Sequence, residues 1–260
     1  MTAKFLGGIG MEQITFRNSR DLRLVGNLYS SNSKSIIIMC HGFMSNKYSK
    51  GRFEKLAIAF NKCGFDALAF DFSGCGESDN DSLTIEKEVD DLKSAISYVI
   101  SKGYEKIALY GYSLGTLICL KSYIPQITTM VLLGALTGPM EYNWDEFFTQ
   151  EQMKELKENG FITEYISGGT REKIIIDRKI IEGFELINQK ELLGRIKCPT
   201  LLIHGDGDEE ESLLYERSKV AINMLSADSR IEVINESNHS FLDHFDMVVK
   251  LSTDWLKKYL

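Results

Sequence analysis

The sequence predicts an α/β fold: a doubly wound, mostly parallel sheet with helices on both faces and one insertion between two late strands. Three observations predict it. Short continuous apolar runs alternate with longer stretches whose apolar residues recur at helical spacing, the rhythm of buried parallel strands joined by crossover helices. The chain opens with two period-2 runs around a polar turn, as an antiparallel edge hairpin does. The rhythm lapses once, between Gly134 and about Lys197, and then resumes.

Glu12–Arg17 and Leu22–Tyr29 are the two alternating runs, with Asn18–Asp21 as their turn. Ser35–Cys40 is continuous and β-branched, the pattern of a strand buried on both faces. Gly51–Cys63 carries Phe53, Leu56, Ala57 and Phe60 at helical spacing, and Gly64 suits its C-terminal end. Asp66–Asp71 is the next strand. Residues 84–102 place Ile85, Val89, Leu92, Ile96 and Val99 on one stripe, followed by Gly103. The strand Lys106–Tyr110, a Gly-rich turn, a helix stopped by Pro125 and the strand Thr129–Leu133 repeat the unit. After Cys198-Pro199 come the strand Thr200–His204, a helix Ser212–Leu225, the strand Arg230–Ile234 and a last helix Phe241–Tyr259.

In the interval, Trp144–Glu158 reads as a helix. Phe161–Ile166 and Arg171–Ile176, joined by Ser167-Gly168-Gly169-Thr170, read as a hairpin, and Ile180–Lys190 as a short helix. Roughly sixty residues without a β-α unit are too many for a plain connection and are read as an inserted lid. The expected organisation is a core of residues 1–133 and 198–260, with a lid of residues 134–197.

The 260 residues, 43% of them apolar, suffice for a sizeable core and one domain with an insertion. A net charge of −7 argues against a nucleic-acid or anionic-membrane surface. Cys40, Cys63, Cys75, Cys119 and Cys198 show no C-x-x-C pairing, which points to reduced thiols in a cytoplasmic protein and to no metal site. Met1–Gly10 lacks the apolar stretch of a signal peptide, and no run has the length of a membrane span.

The chemistry centres on Gly111-Tyr112-Ser113-Leu114-Gly115. A G-x-S-x-G set between a strand and a helix forces a tight turn that lifts the serine hydroxyl clear of the sheet. Both glycines are needed, because a Cβ at either would meet neighbouring backbone. A serine hydroxyl is a poor nucleophile at neutral pH, so a base must take its proton. His239, in a loop after the last strand, is the best placed of four histidines. An acid must in turn hold its tautomer.

Together with His41-Gly42-Phe43, Asp71-Phe72-Ser73-Gly74-Cys75-Gly76-Glu77-Ser78, Gly205-Asp206-Gly207-Asp208 and Asn238-His239-Ser240-Phe241, this motif resembles the α/β-hydrolase superfamily from about Ile14 onward. Each motif follows a predicted strand, where such folds place their sites. The resemblance implies Asp208 as the acid, with Asp206 its near rival, and the backbone N–H groups of Phe43 and Leu114 as oxyanion donors. It implies a serine hydrolase without cofactor, acting through an acyl-enzyme on small acyl or hydroxycinnamoyl-type esters. The insertion is similar in size to those of feruloyl and cinnamoyl esterases, and monoacylglycerol lipases are a further likeness. Candidate substrate contacts are His41, Trp144, Asp145, Tyr165 and Asp177, with His41 also read as shaping the oxyanion loop.

Acyl thioesterases and S33-like serine peptidases share the triad and stay open as alternatives, as does a ligand-binding receptor on a hydrolase fold. The expected partner is a small-molecule ester, with no nucleic acid or membrane, in a monomer or homodimer.

Overall fold

The apolar runs form the central sheet. The computed structural model describes residues 4–6, 9–167 and 171–260. Strands β1 (Lys4–Leu6), β2 (Ile9–Arg17) and β3 (Arg23–Ser30) make an antiparallel edge. Then follow β4 (Ser35–Cys40), α1 (Arg52–Lys62), β5 (Asp66–Phe70), the two-residue β6 (Ser82–Leu83) and α2 (Ile85–Ser101). β7 (Lys106–Tyr112), α3 (Leu114–Lys121) and β8 (Ile127–Leu133) complete the first half. The interval holds α4 (Trp144–Phe147), α5 (Gln150–Asn159), β9 (Phe161–Tyr165), β10 (Lys173–Asp177), α6 (Arg178–Glu185) and α7 (Gln189–Gly194). The chain closes with β11 (Thr200–Gly205), α8 (Glu209–Ala221), β12 (Arg230–Ile234) and α9 (Phe245–Tyr259).

Among the described residues nine strands lie in the order β1-β2-β3-β5-β4-β7-β8-β11-β12, parallel from β5 onward. The register pairs Cys40 with Gly111, Tyr112 with Leu133, and Gly205 with Ile234. The C-terminal ends of these strands therefore share one edge, and the loops after them meet above it.

Alternate strand residues feed two cores. Ile36, Ile38, Leu109, Leu132 and Leu202 face α2 and α3, while Ile37, Met39, Ala108, Val131 and Ile203 face α1 and α9. Each fully buried aliphatic side chain of this kind stabilises the fold by roughly 2 kcal/mol. Among the described residues no helix is long and apolar enough to cross a membrane.

Several boundaries differ from expectation. The helix expected over Trp144–Glu158 is two: Phe148 is extended, and Thr149 caps α5 in a reciprocal capping box with Gln152. The short helix expected over Ile180–Lys190 is also two, because Asn188 caps α7. β9 and β10 do pair antiparallel, with Ile176 opposite Ile162, whereas the Gly168–Thr170 part of their turn lies outside the described residues. Parallel pairing of β10 with β6 adds a small second sheet and ties the interval to the core. α8 begins three residues earlier than expected, because Asp208 rather than a later residue is its N-cap. α9 begins at Phe245, since Phe241 has a positive φ of 55° and the chain ahead of it turns.

Candidate active site

Ser113 is the pivot between β7 and α3. Its backbone sits at φ 53°, ψ −125°, a conformation that costs a non-glycine residue about 1–3 kcal/mol and persists only when its surroundings fix it. They do so here: the Ser113 N–H donates to the Leu133 carbonyl at 2.9 Å, and its own carbonyl accepts from the Thr116 N–H at 2.8 Å. Gly115 is obligatory for another reason: a Cβ there would lie 2.2 Å from the Cys40 carbonyl oxygen. That close approach brings the loop after β4 beside the elbow.

His239 comes from the loop between β12 and α9, and its Nε2 lies 3.0 Å from Ser113 Oγ. The ring stacks on Tyr112 at a centroid distance of 5.7 Å, and the Tyr112 hydroxyl donates to the His239 carbonyl at 2.9 Å. The Arg52 guanidinium covers the other part of this platform, 4.3 Å from the Tyr112 ring centroid, and donates to the Ser240 carbonyl. The imidazole is thus held from its backbone as well as its edges.

The carboxylate at His239 Nδ1 belongs to Glu211, not to the expected Asp208. Glu211 lies in the first turn of α8, fully buried, with Oε1 on Nδ1 and Oε2 accepting from the Gly205 N–H at 2.9 Å. Asp208 stands one layer back. Its Oδ1 caps α8 by accepting from the Glu211 N–H at 2.8 Å, and its Oδ2 accepts from the main-chain N–H of His239 at 2.7 Å. Asp206, the rival candidate, accepts from the Glu236 N–H instead. The early start of α8 is the physical cause: it turns Glu211 inward, while the capping geometry commits both oxygens of Asp208 to backbone.

Burial alone would raise the Glu211 pKa. The His204 imidazole, with Nδ1 3.5 Å from Oε2, and the hydrogen bond and charge of His239 overcome it and hold the carboxyl at about 2. Burial would lower the His239 pKa, yet the Glu211 hydrogen bond and the negative charges of Glu211, Glu210 and Asp208 leave it above its ordinary value. The pair is therefore built to favour an imidazolium beside a carboxylate.

A second carboxylate flanks the other nitrogen. Glu210 Oε1 is 3.8 Å from His239 Nε2 and accepts from the Tyr142 hydroxyl at 3.0 Å. Neither Glu210 nor Glu211 was expected here. The sequence signal lay in Asp208 followed three residues later by Glu211, an N-terminal helix signature.

Residues 31–173, more than half of the chain, match the family described as serine aminopeptidase, S33. The chain is an α/β hydrolase of this S33 family. It is 25% identical over 199 residues to the thiohydrolase apmlB of Arthrinium phaeospermum, a match that covers 70% of this chain but only 64% of that relative. An esterase from Pyrococcus furiosus shares its fold at TM-score 0.69 and 19% identity, covering 100% of this chain and 96% of that one. The α/β hydrolase GrgF from Penicillium sp. sh18 does so at TM-score 0.76 and 15% identity, over 96% and 98% of the two chains.

In this S33-family hydrolase the loop after β4 is tightly braced. His41 is buried, its Nδ1 on the Gly42 carbonyl at 2.9 Å and its Nε2 accepting from the Phe72 N–H at 3.3 Å. Burial pushes its pKa down, so it is neutral, and with both nitrogens taken by backbone it shapes the loop rather than contacting a substrate. Lys47, 1% exposed, pairs with the fully buried Asp71 at 2.7 Å and with Glu77. Asp71 also accepts from the Lys47 and Glu77 N–H groups. This brace holds the segment carrying Gly42 and Phe43, and a Cβ on Gly42 would lie 3.2 Å from Ser113 Cβ. Among the described residues, neither the Phe43 nor the Leu114 N–H donates to a turn or loop carbonyl or to a side chain.

The other expected contacts separate. Trp144 packs edge-on to Phe43 with centroids 6.1 Å apart and belongs to an aromatic cluster with Tyr142 and Phe184. Asp145 is exposed in the first turn of α4, and Tyr165 is 75% exposed at the end of β9. Asp177 caps α6 by accepting from the Lys179 N–H at 3.0 Å, so its carboxylate serves the helix.

Proposed function

We propose that this hydrolase cleaves small carboxylic esters through an acyl-enzyme on Ser113. The observation that carries the proposal is the line Ser113 Oγ, His239 Nε2, His239 Nδ1, Glu211 Oε1, in which a nucleophile, a base and a buried acid lie in hydrogen-bond sequence. Ser113 Oγ attacks the ester carbon as its proton passes to His239 Nε2. Glu211 keeps the neutral ring in the Nδ1–H tautomer and stabilises the imidazolium that forms. The Phe43 and Leu114 amides receive the oxyanion, and each such donor is worth about 3 kcal/mol in the transition state. The imidazolium then protonates the leaving alcohol. Water, deprotonated by the same nitrogen, releases the acid and restores Ser113. Residues 134–197 act in this reading as the lid, with Trp144 and Phe184 walling the acyl side beside Phe43.

One observation favours a second substrate class. The relative from Arthrinium phaeospermum is a thiohydrolase, so a thioester in place of the oxygen ester is the nearest variant of the same mechanism. The test is labelling by a fluorophosphonate with peptide mapping, alongside turnover of p-nitrophenyl esters and matched thioesters. A single adduct on Ser113 is expected. Ser113→Ala is expected to lose label and turnover while its circular dichroism and melting temperature stay near those of the parent. Turnover retained by that variant refutes the assignment.

A further inference from the structure

Collapse of an acyl-transfer intermediate requires the leaving heteroatom to come within hydrogen-bond reach of the protonated base. In the mechanism proposed above, on which this inference rests, that atom sits about 3 Å from His239 Nε2. Atoms two or three bonds further along the leaving group then come close to the side chain that also borders Nε2. That side chain is Glu210, whose Oε1 is 3.8 Å from Nε2.

Three features make Glu210 a recognition group rather than a solvated surface charge. Its Oε1 is held by the Tyr142 hydroxyl, a phenol kept protonated by burial and by the Glu210 charge itself. Its side chain is 32% exposed, so it is reachable without being fully screened. Among the described residues no lysine or arginine pairs with it, and its Oε2 accepts no hydrogen bond. The Tyr142 ring itself lies beside this carboxylate, and an aromatic face attracts organic cations.

We infer that Glu210, with Tyr142, selects esters whose leaving group carries a positive charge two or three bonds from the scissile oxygen, and disfavours anionic leaving groups. An ammonium there meets, at close range, a carboxylate that no lysine or arginine among the described residues neutralises, whereas a carboxylate or phosphate meets repulsion. Glu210 is thus a specificity-determining residue for the alcohol side of the substrate, with the acyl side left to the aromatic wall.

The test compares a choline ester with the 3,3-dimethylbutyl ester of the same acid, its uncharged isostere. Each kcat/KM is divided by the rate at which hydroxide hydrolyses that ester. The expected wild-type preference for the choline ester is about tenfold or more at low ionic strength, shrinking as salt screens the pair. Glu210→Gln is expected to bring the two esters within about twofold of each other, and Glu210→Asp to retain part of the preference. Because the comparison is a ratio, a general loss of activity through His239 cancels. A wild-type ratio near unity, or a preference that survives in Glu210→Gln, overturns the inference. Hydrolysis of the neutral ester, lost in Ser113→Ala, reports the Ser113 chemistry separately. If neither ester nor any p-nitrophenyl ester is turned over, both readings fall.

Discussion

Replacing Glu211 by glutamine removes one negative charge and half of an acceptor pair that the site uses twice. In the native arrangement Oε1 faces His239 Nδ1 and Oε2 faces the Gly205 N–H at 2.9 Å, and both neighbours are donors. A glutamine has one acceptor oxygen. If that oxygen turns to Gly205, the amide NH2 faces Nδ1, which becomes an acceptor and moves the ring proton to Nε2, where it blocks proton transfer from Ser113. If the oxygen turns to His239, the NH2 faces the Gly205 N–H and leaves a buried donor unpaired. Either choice costs catalysis or stability, and the lost imidazolium stabilisation comes in addition. The expected fall in kcat/KM is about a thousand- to ten-thousandfold, or roughly 4–5.5 kcal/mol. Asp208→Asn is the matched control. It weakens the cap of α8 and the support of the His239 main chain, with an expected loss of about ten- to a hundredfold. Steady-state kinetics on a p-nitrophenyl ester, with melting curves to exclude unfolding, decides between them. If Asp208→Asn is the greater loss and Glu211→Gln stays within about tenfold of the parent, the assignment of Glu211 is refuted.

Three further outcomes follow from the same geometry. His239 must be neutral to accept the serine proton, and its pKa is raised, so kcat/KM is expected to fall with decreasing pH through a midpoint above the ordinary value of 6.5; removing the negative charge in Glu210→Gln moves that midpoint down. Gly134 sits at φ 61°, and a Cβ there would lie 2.8 Å from His239 Cε1 and 2.9 Å from Glu211 Oε1, so Gly134→Ala is expected to lower kcat/KM about a hundredfold with a stability loss of about 1–2 kcal/mol, read by kinetics and denaturant titration. Lys47→Met strands the buried Asp71 charge and is expected to cost about 3–5 kcal/mol, seen as a melting temperature lower by about 10 °C and partly recovered by adding Asp71→Asn.

The sheet was legible because its strands are buried on both faces. The stretches Ile36–Cys40 and Leu201–Ile203 within two of them contain no polar residue, and the Gly-containing turns after these strands mark the edge where the site forms. The elbow and His239 were legible for the same reason, since each follows a strand end. The acid was not. Its identity depends on where α8 starts, and a helix boundary is set by one capping residue rather than by periodicity. Reading Asp208 as a functional carboxylate concealed its use as the N-cap, which moved the helix start forward to Ser212 and left Glu211 in an assumed loop. The split at Phe148-Thr149 was missed for the same reason, because the Thr149–Gln152 box interrupts an otherwise helical composition. β6 has only two residues, too few for any period to register.

Successive residues of an α-helix point about 100° apart around its axis. On α8 that angle lets neighbours straddle a single ring, with Glu211 at its Nδ1 and Glu210 near its Nε2. The two sides of the imidazole are therefore set by one rotational phase, fixed by Asp208. Inserting or deleting one residue between Asp208 and Glu210 would leave the composition of this turn almost unchanged. It would nevertheless rotate the turn by that angle and take both carboxylates off the ring at once. Length in this short connection is consequently under tighter constraint than its polar, exposed sequence suggests, and variation among homologous chains should preserve spacing here even where side chains change.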